Sequence, residues 1–180
     1  MNDQQSPQTH SQAGMRAFQA GEYEVAADAF DTAAQGYSAQ GDLPSAAEMQ
    51  NNRSVALLKA GKAAEALVAA SGTDEFFAQM GDIRRQGMAI GNQAGALEAL
   101  GRLKEALEKY QQSADLLKAA GDQASRAHLL ESLSALQLRT GNHLQAMATM
   151  QAALESKKKL TVRERFLKKL LKVPFRMLGR

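Results

Sequence analysis

Gly21, Gly61, Gly101 and Gly141 stand 40 residues apart, and Gly41-Asp42, Gly81-Asp82 and Gly121-Asp122 repeat between them at the same interval. A chain stopped this often must build elements that begin and end locally and pack on their immediate neighbours. The blocks between stops are rich in Ala, Leu, Glu, Lys and Gln. In "GRLKEALEKYQQSADLLKAAGD", Leu103, Ala106, Leu107, Tyr110, Ala114 and Leu117 share one helical face. Each block is therefore predicted as a helix of roughly sixteen to eighteen residues, the length between stops at helical spacing. The punctuation has a mechanism. A Gly after the last turn takes the left-handed conformation that closes it. Asp42, Asp82 and Asp122 can then cap the next helix, and Pro44 suits a first turn. In the second unit Ala70 and Gly72 interrupt the pattern, so that helix is expected to be the weakest.

Composition agrees with an all-α fold. Aromatics make up 5% and Trp is absent, whereas sheets draw on β-branched and aromatic residues. Cys is absent, which removes disulfides, thiolate metal sites and a Cys nucleophile. The polar start "MNDQQSPQTHSQAG" lacks the apolar core of a secretory signal, and no apolar stretch is long enough to span a bilayer. A cytoplasmic protein is the expectation, peripheral to a membrane if the basic C-terminal tail binds one. Enzyme chemistry finds no footing. His10, His128 and His143 are scattered, with packing expected for His143, and the glycines are helix stops rather than a phosphate loop. No catalysis, metal, cofactor or small-molecule substrate is expected.

Three columns of small residues run at the same period. Ala26, Ala66, Ala106 and Ala146 form one; Gly14, Ser54, Ala94 and Ser134 the second; Ala33, Thr73, Ser113 and Ala153 the third. They let paired helices approach closely, while Phe30, Tyr110 and Met150 fill the gap between pairs. Over residues 7–156 this order, clearest in "AGMRAFQAGEYEVAADAFDTA" and "NQAGALEALGRLKEALEKYQQSA", resembles the tetratricopeptide repeat (TPR) family. The Pro that usually ends its 34-residue unit is replaced by Ser38, Ala78, Lys118 and Lys158. The chain is thus similar to the longer-helix class found in kinesin light chains and Pins/LGN-type adaptors. A plain helical bundle is the other all-α reading.

The resemblance implies a right-handed superhelical solenoid of about four antiparallel helix pairs, with units at about 7–41, 42–81, 82–121 and 122–160. A disordered N-terminal tail (1–6) precedes them and a C-terminal amphipathic helix (161–180) comes after. It also implies a non-catalytic adaptor whose first helices line a concave groove for a partner peptide or helix. By repeat position the groove candidates are Gln12, Met15 and Gln19; Asn52, Val55 and Lys59; Asn92, Gly95 and Glu98; and Ala135 and Arg139. Asn52 and Asn92 share a position and could bond a partner's backbone in both directions. A solvated polar face is the alternative. The basic clamp by which some TPR adaptors hold a C-terminal carboxylate is not reproduced, since Gln8, Ser11, Met88 and Gly91 stand there. Arg53 and Gln93 occupy usual Leu positions and are expected to snorkel or to reach the neighbouring unit.

Charge divides the chain. Residues 157–180 hold ten Lys/Arg and one acid, Glu164, whereas the rest holds twelve Lys/Arg and eighteen Asp/Glu. The body carries no basic stripe interleaved with aromatics, which argues against nucleic acid. Thr161-x-x-Glu164 reads as a capping box starting a separate helix. Val162, Phe166, Leu167, Leu170, Leu171 and Val173 form its apolar arc, opposed by Arg165, Lys168, Lys169, Lys172 and Arg176. Pro174 is expected to end or kink this helix near Lys172, leaving Phe175 in an apolar-basic hook. The tail then serves as a cap on the last unit, as an anchor on an anionic membrane with Arg165, Phe166, Lys168, Lys169, Leu170, Lys172, Phe175 and Arg176 in contact, or as a site for an acidic protein or nucleic acid.

Overall fold

The structure, a computed structural model, describes residues 6–178, with side chains as far as Leu171. Among the described residues it is helical throughout. The helices are α1 (Pro7–Ala20), α2 (Tyr23–Ala39), α3 (Leu43–Lys59), α4 (Ala63–Ala70), α5 (Thr73–Gln79), α6 (Ile83–Ala99), α7 (Leu103–Ala119), α8 (Gln123–Arg139), α9 (His143–Ser156) and α10 (Val162–Leu178). Consecutive helices pack on one another except for α4 and α5, which each lie against α3 and α6, and α3 also meets α6. The result is a helical solenoid of adjacent pairs, with first helices α1, α3, α6 and α8. Residues 1–5 of the expected N-terminal tail lie outside the described residues; Ser6 accepts the Thr9 N–H and caps α1.

One backbone bond closes all seven junctions. The N–H of Glu22, Asp42, Lys62, Asp82, Arg102, Asp122 and Asn142 donates to the carbonyl five residues back, at 2.8–3.0 Å. This needs a left-handed residue in between, and each junction glycine has φ of 70–81°. The two glycine series differ in the residue next to the glycine. Asp42, Asp82 and Asp122 each accept a backbone N–H three residues on, at 3.1, 2.9 and 3.0 Å, whereas Glu22, Lys62, Arg102 and Asn142 make no side-chain cap. First helices after the opening unit are therefore capped by chemistry, and second helices start by packing alone.

The small columns are where the helices touch. Ala26, Ala66, Ala106 and Ala146 are fully buried. Ser54 Oγ donates to the Ala66 carbonyl at 2.7 Å, and Ser134 Oγ repeats the bond to Ala146 at 2.7 Å. A Cβ at Gly14 would fall 2.7 Å from the Phe30 ring. Phe30 and Tyr110 are buried between pairs, with Met150 half-buried. Two apolar clusters result, one centred on α1–α4 and one on α6–α9.

Three expectations change. The weak helix of the second unit is two helices, because Gly72 adopts φ 78° and Ser71 and Thr73 turn their hydroxyls onto the Leu67 and Ala70 carbonyls at 2.8 Å. Gln93 Nε2 also donates to the Ala70 carbonyl at 3.1 Å and to Asp74 at 2.7 Å. Arg53 likewise reaches back to Asp31, at 2.8 Å. The tail helix does not end near Lys172 but continues through Pro174 to Leu178. Its missing N–H would have bonded the Leu170 carbonyl, and Leu170 lies on an exposed stretch where water can take that role. His143 is exposed at the first position of α9 rather than packed.

Candidate functional site

On α3, Glu48, Asn51, Asn52 and Val55 follow one helical face; on α6, Arg84, Arg85, Met88 and Asn92 follow another. The two faces meet across a cavity of about 280 Å³, closed at the back by Phe77 of α5. Asn52, Val55 and Asn92 of the expected groove are thus brought together. Asn92 Nδ2 approaches Asn51 at long range, 3.4 Å to its Oδ1 and 3.5 Å to its carbonyl. Behind it, Thr73 Oγ1 lies 3.1 Å from Asn51 Oδ1 and 2.8 Å from the Ala70 carbonyl. The helix break therefore supports the buried Asn51 from below.

The guanidinium groups of the wall are held by carboxylates. Arg85 pairs with Asp82 at 2.6 Å and with Glu48 at 3.5 Å, and it sits 4.9 Å from the centre of the Phe77 ring. Arg84 pairs with Asp122 at 2.7 Å. The Asp82 carboxyl is held below its usual range, first by the Arg85 backbone N–H, and Asp122 likewise by that of Ser125. The site therefore offers amide donors and acceptors, a thioether and a valine inside a fixed charged frame. That set suits recognition of main chain and apolar side chains.

The other groove candidates lie elsewhere. Gln12, Met15 and Gln19 are exposed along α1, and Lys59 is exposed one turn beyond Val55. Glu98 and Arg139 pair with each other at 2.5 Å, tying α6 to α8, and Glu98 also accepts from Tyr110 at 2.9 Å. Burial raises the Tyr110 phenol above its usual range. A Cβ at Gly95 would fall 3.1 Å from Leu58, so that position serves close approach; Ala135 is exposed. In the tail, Arg165, Phe166, Lys169 and Leu170 are exposed and Lys168 is half-buried, while the side chains of Lys172, Phe175 and Arg176 lie outside the described residues. Sequence reasoning missed Asn51, Arg84, Arg85 and Phe77 as groove residues. Of these, only Asn51 carried a signal, its i, i+3, i+4 spacing with Glu48 and Asn52 on one helix.

Stacked helix pairs with such a groove define a helical-repeat interaction module. The family model of the soluble NSF attachment protein, SNAP, matches residues 4–173, and the chain belongs to that family. Its members are helical adaptors built from TPR-like repeats that bind other proteins without catalysis. No curated protein matches the chain.

Proposed function

We propose that this chain is an adaptor that holds an extended or helical segment of a partner protein across α3 and α6. The observation that supports it is the cavity between these helices, where Asn52 and Asn92 reach no strong internal partner while the charges around them are already paired. Their amides can donate to and accept from a partner's backbone, with Met88 and Val55 receiving apolar side chains. Membership of a family of attachment proteins supports a protein ligand. The long helices that liken the chain to kinesin light chain and Pins/LGN-type arrays give the groove the length for several partner residues.

The test is affinity for a segment mapped by peptide array. Asn52→Ala with Asn92→Ala is expected to weaken binding about tenfold, the loss of one or two good hydrogen bonds, without lowering Tm. Unchanged affinity with an intact fold would move the site elsewhere.

A further inference from the structure

The last helix is fastened along one edge and left bare along another. Lys157 Nζ lies 2.5 Å from Glu131 and 2.6 Å from Glu164, clipping the start of α10 to α8. Leu171 is buried and Leu167 half-buried, so part of the apolar arc is turned inward. Val162, Phe166 and Leu170, one turn apart, form the other edge and are 77%, 69% and 55% exposed. A helix serving only as a cap would turn its aromatic residue inward.

The bare stripe has a basic rim. At 3.6 residues per turn, Arg165 and Lys169 lie along one flank and Arg163 along the other, all exposed. Glu164, the nearest acid, faces away into the clip. Lys158 and Lys159 add exposed charge in the loop before the helix. A polyanion would use the rim but not the stripe. A protein groove would use the stripe but would have to wrap both flanks and the loop. A flat anionic surface with an apolar interior uses all of them at once. Among the described residues no helix is long and apolar enough to cross a membrane, so contact would be along the surface.

We infer that this face of α10 docks on an anionic lipid bilayer. Val162, Phe166 and Leu170 enter the boundary between headgroups and acyl chains, and Arg163, Arg165 and Lys169 pair with acidic headgroups. The inference is independent of the groove reading.

Flotation of the intact chain with vesicles of phosphatidylcholine alone, and of phosphatidylcholine with phosphatidylserine, tests it. Binding is expected only with phosphatidylserine, and it should weaken as salt rises. Phe166→Ser with Leu170→Ser, and separately Arg165→Glu with Lys169→Glu, should each lower partitioning at least about tenfold while melting as the parent does. No binding at low salt, equal binding to neutral vesicles, or an intact-fold serine variant that binds as the parent does would overturn the proposal. Retention on polyglutamate or RNA unaffected by the serine variant, with no vesicle binding, would assign the rim to a polyanion instead.

Discussion

Ala106 has no exposed surface, and Ala26, Ala66 and Ala146 hold the same place in the other pairs. Ala106→Leu forces a larger side chain between two helices already in contact and is expected to cost about 1–3 kcal/mol in urea or thermal unfolding. A parental melt would show that the pair has room to spare. The caps give a second contrast. Asp82 accepts the Arg85 N–H at 2.9 Å and pairs with its side chain, so Asp82→Ala is expected to cost about 1 kcal/mol. Glu22 stands at the equivalent start of α2 without a cap bond, so Glu22→Ala should stay within about 0.5 kcal/mol. Equal losses at the two positions would mean that the carboxylate bond is not what starts the first helices.

Elements begin and end here by rules that act over a few residues, which is why the sequence discloses them. The glycine stops, the three Asp caps and the capping box are each decided by neighbours in the chain. In the box, Glu164 accepts the Thr161 N–H at 2.7 Å, and Thr161 Oγ1 accepts the Glu164 N–H at 3.3 Å. Legibility fails where distant residues decide. The Glu98–Arg139 pair spans 41 positions, and the Gln93 bond that helps set the break after α4 comes from the next unit. Pro174 misleads in the opposite way, because a local penalty is outweighed by the helix around it. The clip on α10 gives a pH prediction. Lys157 above all, with the Thr161 bonds, pulls the Glu164 carboxyl from its ordinary value down to about 2. A depressed carboxyl stabilises the folded form fully above its ordinary range, and that contribution fades as pH falls through about 2. NMR titration should place the Glu164 midpoint near 2, moving up toward the ordinary range in Lys157→Met. An ordinary midpoint in the parent would show the clip open in solution.

As a whole the molecule is a stack in which each pair answers mainly to its neighbours, so stability should be distributed rather than held at one centre. Hydrogen exchange is expected to be faster in the short helix α5 than in α7, its 17-residue counterpart in the next unit. Removal of residues 161–180 takes away α10 but leaves Lys157 paired with Glu131. The shortened chain should stay helical, with Tm lower by roughly 2–4 °C for each kcal/mol of packing lost. Collapse of the fold on truncation would make α10 a required cap.

The shared junction bond also bears on how such a chain can change its length. Excising residues 82–121 would set Gly81 directly before Asp122, recreating a Gly-Asp joint of the kind already present, so the backbone would tolerate the loss of a whole unit. The interior of the stack would not. Leu133 would then stand in the place of Gln93, and the Ala70 carbonyl would lose one of its two donors at the broken helix. Loss of the third unit would therefore keep a sound joint in the backbone while leaving the broken helix of the second unit without the side chain that helps hold it.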